Sequence, residues 1–142
     1  MTSDTRRPRH ILRRAGAVVA GLLTVVVLST VTDLVLHGTG VFPPDGQPMA
    51  DALFLLATAY RVAYAVLGSY VAARLAPDRP MAHALALGAV GVVISSLGAL
   101  ATMNAGPEFG PSWYPLLLVA TALPCAWAGG RLLSAQPRAR AA

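Results

Sequence analysis

The run AGAVVAGLLTVVVLSTVTDLVL, Ala15 to Leu36, carries one charged side chain, Asp33, in an otherwise apolar stretch. A helix rises about 1.5 Å per residue, so about 20 apolar residues cover the hydrocarbon layer of a bilayer. Three more segments meet that length: Ala50 to Leu75, interrupted by Arg61, then Met81 to Met103, and Trp113 to Leu133. The connections His37 to Met49, Ala76 to Pro80 and Asn104 to Ser112 are short and rich in Gly and Pro. Backbone groups in lipid must bond within their own segment, which favours helices. Strands of a membrane barrel would alternate apolar and polar residues, and these segments do not. An all-α fold is expected: a four-transmembrane-helix bundle of two antiparallel hairpins. A basic arm (1–14) precedes it and a short tail (134–142) follows.

Composition agrees. Apolar residues make up 56% of the 142 and charged residues only 12%, against roughly a quarter charged in a soluble domain. So few charges cannot cover a surface facing water, and the lipid bilayer is the expected partner. The net charge of +5 does not point to nucleic acid, because the arginines mark the ends of the spans instead of tracking a groove. Arg6, Arg7, Arg9, Arg13 and Arg14 precede the first span, Arg74 and Arg79 flank the middle loop, and Arg131, Arg138 and Arg140 close the chain. The first and third loops carry only Asp45 and Glu108. By the positive-inside rule both termini and the middle loop are cytoplasmic. Trp113 and Tyr114 then stand where an outer aromatic belt belongs. The first span is longer than a signal-peptide core and no A-x-A-like site follows it, so an anchor is expected there.

Arg61 is the most informative residue. It lies about 16 Å below the start of its span, near mid-membrane. A charge at that depth should face the bundle and have a partner. Asp33 is the best candidate: it leans down from the outer end of the first span while Arg61 leans up, since helical side chains tilt toward their own N-terminus. His37 is one turn after Asp33, and Tyr64 nearly one turn after Arg61. A polar cluster of Asp33, His37, Arg61 and Tyr64, open to the outside and flanked by Tyr60, is expected. Its simplest role is an ion pair joining two helices; its functional role would be a proton-coupled or anion-binding site in a transporter. A divalent-cation site of Asp33, His37, Asp51 and Glu108 has suitable ligand types but no compact motif spacing.

Small residues recur along the third span at Ala84, Gly88, Gly91, Ser95, Gly98 and Thr102. They form a one-faced seam that lets helices approach closely. The seam is expected against a neighbouring helix in the bundle centre, or as a homodimer face. Gly68, Ala72, Ala122, Ala126, Gly129 and Gly130 offer similar surfaces. The lone Cys125 follows Pro124 in an apolar run, so it supports neither a disulfide framework nor a thiolate cage. His83 is expected at the cytoplasmic interface. No nucleophile elbow, metalloprotease helix, phosphate loop or dinucleotide turn is present. No cofactor, metal or enzymatic activity is indicated.

Thr32-Asp33-Leu34-Val35-Leu36-His37 with Gly40-Val41-Phe42-Pro43-Pro44, Ala59-Tyr60-Arg61, Ala72-Ala73-Arg74-Leu75-Ala76-Pro77, and Gly106-Pro107-Glu108-Phe109-Gly110-Pro111-Ser112-Trp113-Tyr114-Pro115 form a recognisable set. Together they resemble a group of small bacterial four-span integral membrane proteins of unknown function. That resemblance implies the bacterial cytoplasmic membrane and assigns no residue roles. Small multidrug transporters are similar in size, but their embedded first-span glutamate is absent here. Two roles follow. The first is a non-enzymatic accessory or assembly protein with a membrane protein partner. The second is a small oligomeric transporter or channel built on Asp33 and Arg61.

Overall fold

The computed structural model describes residues 6–137 and contains only helices there. Helix α1 spans Arg6–Gly38, α2 Asp51–Leu75, α3 Pro80–Thr102 and α4 Trp113–Ala135, with a 3-10 turn at Pro107–Phe109 before α4. All four are long and apolar enough to cross a membrane. Arg138 and Arg140 of the tail, and Met1 to Thr5 of the arm, lie outside the described residues.

The helix boundaries follow local chemistry. Asp51 opens α2 with a negative charge in the first turn, where the helix dipole favours one. Pro80 starts α3 after Arg79, whose left-handed backbone (φ 41°) turns the chain out of α2. Proline suits a first helical position because its missing N–H has no helical acceptor there. Helix α1 begins at Arg6, earlier than the expected span start at Ala15, so much of the basic arm extends the span as helix. Arginine is a good helix former, and Pro8 falls in the first turn where it breaks no bond. Helix α4 runs through Pro124. The hydroxyls of Thr24, Thr32, Thr58, Thr102 and Thr121 each donate to the carbonyl four residues earlier. These five hydroxyls are thereby satisfied without water.

Contacts between α1 and α2 climb one helix as they descend the other: Gly21 faces Gly68, Thr32 meets Tyr64, and Asp33 meets Arg61. The same opposed run joins α3 to α4, with Gly130 near Ala84, Gly88 against Ala126 and Gly91 near Ala122. Helix α4 also packs along α2, where Gly129 sits on the Ser69 and Tyr70 backbone region. Thus α2 and α4 form the centre, α3 lies against α4, and α1 lies against α2. One end of the bundle gathers the start of α1, the α2–α3 turn and the end of α4, tied by hydrogen bonds of Arg14 to Asp78 and Tyr70 to Gln136. The opposite end gathers the other two loops.

Packing differs between those ends. Near the terminal end, a Cβ added at Gly21 would stand 2.5 Å from the Gly68 carbonyl and 2.8 Å from Leu87 of α3, so three helices converge there. Toward the loop end, α3 leaves α1. A Cβ added at Gly98 would meet nothing within 4 Å. The small-residue seam of α3 is therefore split, unlike the continuous contact expected from sequence. Ala84, Gly88 and Gly91 pack on α4, whereas Ser95, Gly98 and Thr102 line open space. The seam does not serve one partner over its whole length, because close contact with α4 ends before Gly98.

Candidate functional site

The space left by α3 is a cavity of about 490 Å³ at the loop end. Its side walls are largely apolar, with Phe42, Phe54, Ile94 and Leu118, and its mouth carries His37, Asp45 and Glu108. From α2 the lining takes Phe54, Ala57 and Arg61, part of one stripe. Phe54, Ala57, Arg61, Tyr64 and Gly68 recur at helical spacing, so the residue that closes on α1 at Gly68 shares a face with Arg61 and Phe54. Phe54 is held by Tyr114 of α4, ring centroids 5.0 Å apart. It also lies directly against Gly110, whose positive φ of 87° lets the third loop fold over the ring.

Arg61 lies roughly 15 Å along the axis from the first residue of α2. Its Nη2 donates to Asp33 Oδ2 at 2.7 Å. The other Asp33 oxygen accepts the Tyr60 hydroxyl. The guanidinium also stands over two rings, 5.9 Å from the centroids of both Tyr60 and Tyr114. At that range each ring face attracts the cation. A carboxylate, a phenol and two ring faces thus replace water around a charge that lipid would not tolerate. The arrangement is incomplete: Arg61 Nε is buried and has no acceptor.

The four expected cluster residues do not form one group. Tyr64 bonds Thr32 at 2.9 Å and does not reach the carboxylate. Tyr60, expected only as a flank, makes that contact. The reason is axial: Tyr60 and Tyr64 share a helix face toward α1, but they meet it one turn apart, opposite different side chains. His37 Nδ1 donates to the Asp33 backbone carbonyl at 2.9 Å, while Nε2 is 3.4 Å from Asp45. His37 therefore belongs to the mouth and not to the ion pair. Tyr114, expected in an interfacial belt, is instead part of the Arg61 site. Nothing in sequence marks it, because its role depends on α4 packing against α2.

Among the described residues, no three His, Cys, Asp or Glu side chains come close enough to hold a metal ion. The donor set Asp33, His37, Asp51 and Glu108 is not assembled: Glu108 sits on the 3-10 turn across the cavity mouth and Asp51 is exposed at the start of α2. Cys125 is buried and outside the cavity lining.

A second cavity of about 360 Å³ lies deeper, between α1 and the α3–α4 pair. Val25, Ser29, Ala65 and Thr121 are among its walls. Asp33, Arg61, Ser95 and Leu118 line both cavities, so the ion pair stands where the two adjoin. Below the second cavity the bundle is closed by the Gly21–Gly68–Leu87 and Gly88–Ala126 contacts. Compared with known protein families, curated proteins and solved structures, the chain shows no match.

Proposed function

We propose that the chain is a non-enzymatic protein of a bacterial cytoplasmic membrane that takes a small solute from the outer side, as a small transporter. It would be threaded as two antiparallel hairpins with both termini in the cytoplasm, in keeping with the resemblance to small four-span bacterial proteins. The arginine pattern supports that threading, as do the opposed contact runs of α1 with α2 and of α3 with α4. The observation that carries the transport reading is the cavity of about 490 Å³ reaching Arg61 from the loop end. Its volume falls in the range of small-molecule sites. An assembly protein whose Arg61 only joined two helices would need no such space. The closure below the second cavity fits a form open to one side only, as alternating access requires.

The test is thiol labelling in intact cells. In a Cys125→Ala background, Ser95→Cys should react with a membrane-impermeant thiol reagent applied outside, since Ser95 lines both cavities. Ala82→Cys, exposed at the opposite end, should react only after permeabilisation. If Ser95→Cys stays unlabelled in folded protein, the cavity is closed to water and the accessory role is favoured. If Ala82→Cys labels first, the threading is reversed.

A further inference from the structure

Resting on that solute-site reading, we propose that the ligand of the cavity is a small zwitterion, an anionic group and an ammonium a few bonds apart on an apolar body. Three observations lead there. First, the Asp33–Arg61 pair is the charged part of the wall shared by both cavities, beside Ser95 and Leu118, so a solute crossing there meets both charges. An anion alone would take Arg61 and leave Asp33 without its counter-charge; a cation alone would do the reverse. Either strands a charge in a low-dielectric site, the costliest way to break an embedded pair. A zwitterion supplies a partner to each.

Second, the guanidinium lines both cavities and is not fully paired. It carries five N–H groups, and the bond from Nη2 to Asp33 engages one of them. Nε is buried without an acceptor. A carboxylate or phosphate in the cavity would accept from the remaining Nη hydrogens. Third, the charges around the cavity are unbalanced. Among the described residues Arg61 is the only arginine lining it, against the carboxylates of Asp33, Asp45 and Glu108. That mouth repels a plain anion and attracts an ammonium, while Phe42, Phe54, Ile94 and Leu118 suit an apolar remainder.

The same chemistry occurs in a free apolar amino acid and in an ethanolamine phospholipid headgroup. The probes are L-leucine, N-acetyl-leucine and leucinamide, added to purified full-length protein in detergent, and phosphatidylethanolamine in lipid discs set against discs of phosphatidylglycerol. Binding is read by calorimetry and by thermal shift. We expect leucine to bind at least tenfold more tightly than either singly charged analogue. In Asp33→Asn that preference over N-acetyl-leucine should fall away, because the ammonium loses its partner. Selective binding of phosphatidylethanolamine without leucine would uphold the zwitterion and make lipid its source. If N-acetyl-leucine or leucinamide matches leucine, the inference is overturned. If no probe binds while Ser95→Cys still labels, the zwitterion is wrong and the solute cavity stands. If Ser95→Cys does not label, the cavity reading itself has failed.

Discussion

Removing Arg61 tests whether the charges where the cavities adjoin are energetic partners. An exposed ion pair contributes about 0–1 kcal/mol, and stripping one member from a fully buried pair costs about 3–5 kcal/mol. Here the side chains of Arg61 and Asp33 retain 33% and 29% of their exposure, which puts the loss between those limits. Arg61→Met should therefore destabilise by ~2 kcal/mol, leaving the Asp33 carboxylate with the Tyr60 hydroxyl alone. Asp33→Asn should cost less, ~1 kcal/mol, because its amide oxygen still accepts from Tyr60 or Arg61. The double variant has no stranded charge and should recover at least half of the Arg61→Met loss. For a chain of this length each kcal/mol is about 3 °C in Tm, so Arg61→Met should fall by about 6 °C. Thermal unfolding in detergent, followed by circular dichroism on all four proteins, completes the cycle. Losses that simply add in the double variant, or a harmless Arg61→Met, would refute the pairing as an energetic unit.

The glycine contacts predict a sharp contrast along the bundle. Gly21→Ala drives a methyl into the Gly68 carbonyl and Leu87 and should cost ~1–3 kcal/mol by overpacking, whereas Gly98→Ala faces open space and should leave Tm unchanged or slightly raised; equal effects would sink the account of diverging helices. Tyr60→Phe removes a hydrogen bond to Asp33 and should cost ~1 kcal/mol. Tyr64→Phe should cost less because Thr32 keeps its bond to Leu28, and only the Tyr60 change should be non-additive with Asp33→Asn. At the terminal end, the Arg14 hydrogen bond holds the Asp78 carboxyl below the usual carboxylate range, with the Arg14 charge adding to it. A depressed carboxyl stabilises fully above the unfolded value, about pH 3.9, and loses that contribution as pH falls through the lower folded value. The Tm difference between the protein and Asp78→Asn should thus be flat from pH 7 to about 4.5 and shrink only below; a difference that disappears between pH 7 and 5 would contradict it.

The spans were legible because hydropathy is a local property. Ala15 to Leu36 reads as a membrane helix whatever it touches, and the structure adds only a longer start at Arg6. The proximity of Asp33 and Arg61 was legible too, since consecutive helices joined by a short loop have few ways to avoid each other. Beyond that pair the sequence was silent. Gly88 and Gly98 are alike on the page, yet a Cβ added at Gly88 would strike Ala126 and one at Gly98 would meet nothing. Tyr114 reads as an interfacial aromatic until α4 is laid along α2 and brings its ring over Arg61. In lipid, helices are not driven together by hydropathy differences, and shape decides which small-residue faces meet. That choice closes α3 on α4, parts it from α1 at one end, and so makes the cavity. Sequence alone determined how many helices are long and apolar enough to cross and which charges they carry; tertiary packing decided that those charges line a cavity.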